Sequence, residues 1–312
     1  MAKTNKNSLR LDADFTEDTV GLALESFLTL LSFPRFNFSI EPFSRGRERW
    51  LGADARLNGK LKSFKPFYMQ FKRPSGYPDT STAKIITDRK SLQLPVTPRT
   101  LYFGLREKQP SHRDYQHNIL LRLRERLVKR RLGDSAYICP LFLDRSAYRF
   151  HVHLAGLSMW PQWWRHDPWE LERILINGVG SVNFNAIPVL REHVSIPPHV
   201  KVTSAKHSYS FSEQGTDLCF HSPTALPEGT TSLAKFLGGV VGRLDSDEGF
   251  ISNESAGQYL HAYFGQRETG EESLLPMNFP VENAGIESWL HWGDHLKTEH
   301  QIEQFALVRW ED

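Results

Sequence analysis

Three side chains between residues 54 and 72 have the types and spacing of a chemical site. Asp54 lies in the segment 50–57, and Gln70 and Lys72 lie in the segment 67–72. Both segments have strand character and are joined by a basic, turn-forming stretch. Because side chains alternate along a strand, Gln70 and Lys72 share one face, and the turn is long enough to place Asp54 opposite them. The pattern predicts that an acid, an oxygen ligand and an ammonium group converge at one end of a sheet.

The run Gly52-Ala53-Asp54 followed by Gln70-Phe71-Lys72 resembles the PD-(D/E)xK nuclease superfamily. More narrowly, it is similar to defence-type members in which a Gly-Ala-Asp strand precedes a Gln-x-Lys strand. The resemblance covers roughly residues 16–155 and implies a restriction-endonuclease-like core. It implies that Asp54 binds Mg²⁺ or Mn²⁺, that Gln70 supplies a second oxygen ligand, and that Lys72 orients or activates the attacking water.

Phosphodiester hydrolysis suits such a set of groups. A metal ion neutralises charge on the phosphate and lowers the pKa of the attacking water, while the protein contributes positioning and electrostatic stabilisation. Gln70 departs from most members of the family, which have Glu or Asp there. A neutral amide is a poorer ligand for Mg²⁺ than a carboxylate, and this departure favours an alternative in which the fold is kept without catalysis.

A further acid completes the site in many similar nucleases, often from the first helix. Glu25 occupies that place, at the flank of the first predicted helix's apolar stripe. Glu41, directly before Pro42, and Glu48, six residues before Asp54, are the competing candidates. We favour Glu25 as the third metal ligand and leave the other two open.

Gln116 heads an apolar stripe. Leu120, Leu123 and Leu127 follow it at spacings of four, seven and eleven residues. In a helix over residues 115–132 all four side chains therefore lie on one face. A polar residue on the stripe that faces a sheet needs a partner. Similar nucleases bring a Gln or Tyr from this helix to the active site, which makes Gln116 a candidate catalytic residue. The alternative, of equal weight, is that Gln116 lies at the solvent-exposed end of the apolar stripe and has no catalytic role.

A cluster of basic residues follows the predicted site. Glu125 is the sole acid between residues 115 and 132, so ion pairs within that helix do not account for its positive charge. Such a cluster is typical of a surface that follows a phosphate backbone. The candidate nucleic-acid contacts are Arg73, Arg122, Arg126, Lys129 and Arg130.

The order of predicted elements indicates an α/β or α+β fold with a mixed central sheet flanked by helices. A helix begins near Thr16 and ends before Pro34, and Gly133 is the expected C-cap of the helix over 115–132. Strands are predicted at 36–40, 100–105, 136–143 and 148–154, the last placing His151 and His153 on one face. Beyond these lies an accessory α+β region with a strand at 200–211, helices at 231–239 and 253–264, and a strand near the C-terminus.

Charge divides the chain. Residues 1–150 hold 28 Lys and Arg against 15 Asp and Glu, a net +13, whereas the remainder holds 10 against 21, a net −11. We therefore expect a basic nuclease domain over residues 1–155 and an acidic accessory region over residues 156–312. The acidic region is expected to meet a protein partner or to form a homo-oligomer.

Several classes of protein are not expected. The apolar stretch 21–33 is interrupted by Glu25 and is too short to cross a bilayer. The first ten residues have no apolar segment behind them, so a secretory signal is not expected. Two distant cysteines, Cys139 and Cys219, make neither a disulfide framework nor a cysteine zinc site, and a cytoplasmic location is the expectation.

The sequence thus predicts a metal-dependent endonuclease that cuts DNA, with prokaryotic antiviral defence as the context implied by the resemblance. The first alternative is a catalytically inactive DNA-binding or scaffold subunit of a larger complex. The second is an unrelated α+β protein whose basic helix binds RNA or an acidic protein.

Overall fold

The computed structural model describes residues 9–31, 38–45, 61–165, 180–222, 224–228, 231–243, 245–265, 273–276, 279 and 285–310. For residues 29–31, 38, 45, 157–165 and 224–228 it describes the backbone alone. Asp54 and Glu48 lie outside the described residues, as does the predicted strand at 50–57.

The elements up to residue 165 are β1 (Leu11–Asp12), α1 (Glu17–Leu31), β2 (Phe38–Pro42), β3 (Leu61–Phe71), β4 (Ser75–Pro78), α2 (Lys84–Ser91), β5 (Arg99–Gly104), α3 (Gln116–Lys129), β6 (Ser135–Pro140) and α4 (Arg145–Arg165). After residue 180 they are α5 (Pro188–Arg191), β7 (His193–Ile196), β8 (Ser208–Ser212), β9 (Leu218–Ser222), β10 (Thr224–Glu228), β11 (Thr231–Ser232), α6 (Leu233–Val241), β12 (Ile251–Ser252), α7 (Ala256–Leu260), α8 (Glu287–His300) and β13 (Glu303–Trp310). Two 3₁₀ turns (Phe43–Arg45 and Phe184–Ala186) and a π-helical turn (His261–Gly265) accompany them.

The strands form two sheets. The first has the order β1-β4-β5-β8-β9-β10, and its described pairs are antiparallel. The second has the order β11-β7-β6-β3-β13-β2, with β12 also paired to β3. In this second sheet β3 and β6 are parallel, whereas β3 and β13 are antiparallel. The prediction of a mixed α+β fold with a mixed-orientation sheet flanked by helices is confirmed.

Strand β3 is the centre of the second sheet. From Phe64 to Phe71 every residue is buried, including the polar Lys65 and Gln70, as expected for a strand covered on both faces. On one side β13 pairs with it from Leu61 to Met69, and on the other β6 pairs with it from Tyr68 to Phe71. At the end of β3, pairing with β13 stops at Met69, and β6 holds Gln70, Phe71 and the backbone of Lys72.

Helices α1 and α3 confirm the two clearest sequence predictions. The Thr19 backbone N–H donates to Thr16 Oγ1 at 3.3 Å, so the predicted threonine caps α1. The apolar stripe of α3 is buried through Leu120, Leu123 and Leu127. Burial of these stripes fixes which face of each helix meets the sheet.

Aromatic side chains join the two sheets. The Phe103 ring of β5 lies 5.4 Å from the Tyr137 ring of β6, and 5.5 Å from the Tyr209 ring of β8. His117 of α3 completes the contact, because Nδ1 lies 2.8 Å from the Tyr137 hydroxyl and Nε2 lies 2.8 Å from the Val200 carbonyl oxygen. The buried side chains of both sheets belong to one hydrophobic cluster.

Gly133 has a different role from the predicted helix cap. The C-cap of α3 is Arg130, and the positive φ that follows (53°) belongs to Arg131. A Cβ on Gly133 would lie 2.0 Å from the Pro66 carbonyl oxygen. Glycine is required here because the backbone passes directly against β3.

The predicted strand over 148–154 is wrong, because these residues lie within α4. Residues two apart on a helix point in different directions, so His151 and His153 do not share a face. Phe150 is 59% exposed, whereas Tyr148 and Ala155 are buried. The buried residues Tyr148 and Ala155 are seven residues apart, which is a helical spacing. The alternation of apolar and polar residues over 148–154 had indicated a strand instead.

The expected boundary at residue 155 falls inside α4 and does not separate the sheets. Strands β8 to β10 belong to the same sheet as β1, β4 and β5, and β13 lies between β2 and β3. The longer of the two antiparallel neighbours described for β3 is thus supplied by the last described strand of the chain. None of the described helices combines the length and apolar character needed to cross a bilayer.

Candidate active site

Lys72 directly follows β3, and its backbone N–H donates to the Ile138 carbonyl of β6 at 2.8 Å. Its side chain is 5% exposed. The Nζ atom donates to Gln116 Oε1 at 3.5 Å and lies 5.7 Å from the centroid of the Tyr137 ring. Desolvation lowers the pKa of Lys72, and the negative charge of Glu17 opposes this shift. A buried ammonium with a shifted pKa is typical of functional sites.

Gln116 is the first residue of α3, and both ends of its amide are engaged. Its Oε1 accepts the Lys72 hydrogen bond, and its Nε2 donates to the carbonyl of His300 at the end of α8. The apolar stripe below it is buried against the sheet, so the head of the stripe reaches the end of β3. The structure thus brings Gln116 and Lys72 together, and their catalytic roles remain predictions.

Gln70 lies on β3 opposite Tyr137 of β6, and strand alternation places it on the same face as Lys72. It is 1% exposed. No donor among the described residues reaches its Oε1 atom. A buried amide oxygen without a donor is costly in a folded protein, so this atom is open to a ligand.

Sequence reasoning missed Glu17. This residue is in the first turn of α1, and its Oε1 accepts the Arg73 backbone N–H at 3.4 Å. Its charge raises the pKa of Lys72 and adds to the burial that raises the pKa of the Cys139 thiol. A signal was present, because Glu17 heads the buried stripe of Val20 and Leu24 as Gln116 heads that of α3.

Of the three acids predicted to compete for the further ligand role, the structure describes Glu25 and Glu41 but not Glu48. Glu25 is half-buried in α1, eight residues from Glu17, which is about 12 Å along a helix axis. Glu41 is in β2 opposite Ala306, so β13 separates it from β3. The charge of Glu17 acts on Lys72, and Glu25 stays a prediction as a metal ligand.

The metal ion implied by the resemblance can be compared with the groups present. Within the described residues, no three His, Cys, Asp or Glu side chains are grouped so that they could hold a metal ion. Gln70 Oε1 does fit, because it is a hard oxygen donor with no hydrogen bond from the described residues. The remaining ligand expected from the motif, Asp54, lies outside them.

The predicted nucleic-acid contacts separate into two groups. Arg73 and Lys129 have exposed side chains. Arg122 is 3.3 Å from Asp114, and the Arg130 guanidinium lies 4.6 Å from the centroid of the Tyr263 ring. Exposure keeps Arg73 and Lys129 as candidates for contact with a phosphate backbone, and Arg122 and Arg130 each make a contact within the chain.

Arg126 requires a correction. It is 3% exposed, and its Nη1 donates to the Tyr263 carbonyl at 2.9 Å. A guanidinium fixed below the surface by a backbone carbonyl does not contribute to a surface for nucleic acid. Its positive charge, which the sequence assigned to that surface, instead anchors α3 to the segment after α7.

A second arrangement of catalytic residue types is structural. Ser210 Oγ lies 2.8 Å from His221 Nε2, and His221 Nδ1 lies 3.2 Å from Asp88 Oδ2. The order of groups is that of a serine hydrolase triad. Ser210 is completely buried, however, and its Oγ accepts a hydrogen bond from the buried Arg89 guanidinium at 3.2 Å. Both His221 and Arg89 already engage this hydroxyl, so the group stabilises the first sheet.

The candidate active site is therefore the end of β3, where Lys72, Gln70 and Gln116 meet the charge of Glu17. Comparisons with family models, with curated proteins and with solved structures found no match for this chain.

Proposed function

We propose that the chain is a metal-dependent endonuclease that hydrolyses phosphodiester bonds of DNA, with prokaryotic antiviral defence as its setting. One observation supports this most strongly. The buried Lys72 ammonium lies within 3.5 Å of Gln116 Oε1 and shares a strand face with Gln70, the amide whose oxygen has no donor among the described residues.

Burial of the Lys72 ammonium is the first step of the argument. Removing an ammonium from water is unfavourable, and no described carboxylate lies within ion-pair distance of it. An apolar side chain would fill the same space at lower cost. A lysine whose pKa is lowered by burial, beside polar groups, is suited to hold a water molecule and to exchange a proton with it.

The polar groups around Lys72 are the second step. Gln116 fixes the ammonium because its own amide is held by the His300 carbonyl. Asp54 and Gln70 are the residues that would hold the metal ion, and Glu17 joins Glu25 as a candidate for a further oxygen ligand. When bound, Mg²⁺ or Mn²⁺ would neutralise phosphate charge and lower the pKa of the attacking water.

A plasmid cleavage assay tests the proposal. Supercoiled DNA is incubated with the full-length chain and Mg²⁺, Mn²⁺ or EDTA. We expect metal-dependent nicking that Asp54→Ala and Lys72→Met reduce by about a hundredfold or more, in the range of lost acid–base and electrostatic groups. Lys62→Met is the matched control, because Lys62 is an exposed lysine on the same strand.

Equal nicking by wild type and by both site variants would contradict the proposal. Circular dichroism melting of each variant separates loss of chemistry from loss of folding. A protein that binds DNA but never nicks it, with any metal, would favour the second candidate.

That second candidate is a catalytically inactive nuclease-fold subunit, and the neutral Gln70 favours it. Gln70→Glu distinguishes the two functions, because a carboxylate is a stronger ligand for a hard cation than an amide. For an active enzyme we expect Gln70→Glu to lower the metal concentration required for half-maximal nicking. For an inactive subunit, nicking stays absent at every metal concentration.

A further inference from the structure

A second cleft lies toward the other end of β3. Its volume is about 500 Å³, and it is bounded by the end of α3, by β7 and by α6. Lys65 of β3 lines it and is seven residues from Lys72, which is roughly 23 Å along a strand. Strand alternation also puts Lys65 and Lys72 on opposite faces. The cleft is thus separate from the candidate active site.

Lys65 is a buried cation without a described partner. Its side chain is 8% exposed, and within the described ranges no hydrogen bond or ion pair engages its ammonium group. Desolvation lowers the pKa of Lys65, while Glu248 raises it and Arg309 lowers it further. An isolated buried ammonium is unfavourable unless an anion joins it.

Two hydroxyl groups line the same cleft. Ser195 of β7 and Thr231 of β11 are directly opposite each other in an antiparallel pair, so their side chains lie on one face. Ser195 is completely buried. In the part of the chain that the structure describes, neither Ser195 Oγ nor Thr231 Oγ1 has a hydrogen-bond partner. Together with Lys65 they form a set of donors without an acceptor.

The charge of the lining is positive. Five cations, Lys65, Arg124, Arg131, Lys235 and Arg243, face two acids, Asp134 and Glu248, a net +3. Arg124 is 3.0 Å from Asp134, and Arg131 is 3.4 Å from Glu248. These pairs, together with the pair between Arg243 and Asp245 at 2.5 Å, neutralise the three arginines and leave Lys65 and Lys235 as the excess positive charge that favours an anionic ligand.

The remaining wall of the cleft is apolar or open. Val128, Phe236 and Val240 line it, and a Cβ added at Gly239 of α6 would meet no atom within 4 Å. A cleft of this size with apolar walls and a few convergent polar groups is typical of a small-molecule site.

We propose that this cleft binds a small organic phosphate monoester of the size of a nucleoside monophosphate. Lys65, Ser195 and Thr231 donate to the phosphate, whose three terminal oxygens supply the acceptors that these groups lack. Phe236 and its apolar neighbours contact the organic part. This site is independent of the proposed nuclease function.

Isothermal titration of the full-length chain with adenosine monophosphate tests the proposal. We expect saturable binding that Lys65→Met and Ser195→Ala each weaken by about tenfold, the scale of a lost charged hydrogen bond. Inorganic phosphate is expected to bind more weakly and to compete. Lys72→Met is expected to leave this binding unchanged, so failure of the nuclease proposal and failure of this one are distinguishable.

A glycine pair provides a test that removes no charge. Gly239→Leu fills the cleft, whereas Gly238→Leu places the same side chain one residue away, at a position that does not line it. Both changes raise helix propensity, so both variants are expected to fold. We expect Gly239→Leu to abolish binding and Gly238→Leu to retain it.

Three results would overturn the proposal. They are absence of saturable binding of adenosine monophosphate, equal binding by Gly239→Leu and Gly238→Leu, and binding of a 5′-phosphorylated DNA strand without binding of the nucleotide. The last result would mean that the cleft binds the 5′-phosphate at the end of a DNA strand and not a free nucleotide. If Lys65→Met fails to fold, the glycine pair alone decides.

Discussion

Lys72 lies at a position where the requirements of stability and of chemistry diverge. The backbone around it is regular, and its ammonium is fixed by Gln116. Burial nevertheless lowers the pKa of Lys72, so the folded state binds this proton less tightly than the unfolded state does. In such a case the charged form makes the folded state less stable, and the residue is kept for another reason.

We therefore expect Lys72→Met to raise the free energy of unfolding at pH 7 by about 1 kcal/mol, the scale seen when buried charges are replaced by apolar residues. Because the folded pKa is lowered, the unfolded state binds more protons between that pKa and the ordinary value of about 10.4, so wild-type stability rises with pH in this window. The difference between variant and wild type should shrink as pH rises. Urea unfolding at pH 7 and pH 10 measures it.

A loss of stability in Lys72→Met at pH 7 would mean that the ammonium is a net stabilising group, in contact with residues beyond the described ranges. Lys62→Met is the control, since Lys62 is exposed and its loss is expected to change stability little.

Residue patterns predicted Gln70, Lys72 and Gln116 of the candidate site and missed Glu17. Gln116 was found because a polar side chain at the head of an apolar stripe must face the sheet. Glu17 has the same relation to α1, but the predicted helix start placed it among first-turn acids, whose usual role is to complement the helix dipole. Sequence alone does not distinguish a first-turn acid in solvent from one that faces a buried lysine.

Among the elements, the connection from α3 to β6 depends on close backbone contact. Gly133 passes so near Pro66 that a Cβ would lie 2.0 Å from its carbonyl oxygen. We expect Gly133→Ala to lower the free energy of unfolding by about 3 kcal/mol, because the obstacle is backbone and β3 cannot yield without disturbing its pairing with β13. Thermal unfolding measures the effect.

Gly156→Ala is the matched control for this change. Gly156 is an exposed glycine in α4, and a Cβ there would meet no atom within 4 Å. Alanine favours a helix over glycine by about 1 kcal/mol, so this variant is expected to be unchanged or slightly more stable. Equal effects of the two substitutions would show that the contact with Pro66 does not govern the connection.

Elements whose apolar residues are buried in a regular stripe or run could be predicted from the sequence. Elements with apolar residues on their exposed face could not. Buried stripes or apolar runs in the sequence predict helices α1 and α3 and strands β5 and β6. The segment within α4 does not, because Phe150 and Leu154 are apolar yet exposed and create an apparent strand alternation. Strand β13 was predicted as a strand, but its pairing with β3 spans more than 230 residues of sequence, and no local pattern specifies a partner at that distance.

At the scale of the whole molecule, buried histidines make stability depend on pH. Burial lowers the pKa of His117 and of His193 to about 4, while their unfolded value is about 6.5. The unfolded state therefore takes up these protons first, and stability is lost as pH falls from about 6.5 towards 4. At pH 5 we expect a loss of about 2 kcal/mol for each histidine relative to pH 7.

Urea titrations at pH 7, 6 and 5 measure this loss. His117→Phe removes one titrating group while keeping an aromatic ring between the sheets, so its stability is expected to fall less steeply between pH 7 and pH 5 than that of wild type. Parallel slopes for the two proteins would contradict the assignment of this acid sensitivity to His117.

The opposite charges of the two halves of the chain are partly matched against each other. Arg99 pairs with Glu213, and Arg131 pairs with Glu248. The acidic half therefore contacts the basic half along several elements. This matching explains why a count of charge by segment exaggerates the positive surface available to nucleic acid.

The same interleaving predicts that residues 1–155 do not fold alone. Without β13, the ladder of β3 from Leu61 to Met69 loses its partner, and Phe67 loses the ring of Phe305, stacked at 5.6 Å. The cut also divides α4 and removes β7, which pairs with β6. We expect the isolated fragment to show no cooperative thermal transition, and a mixture with residues 156–312 to recover one. The reason is that a sheet that has lost an interior antiparallel strand exposes too much apolar surface to remain folded by itself. A cooperative transition in the fragment alone would contradict this and establish the basic segment as an autonomous domain.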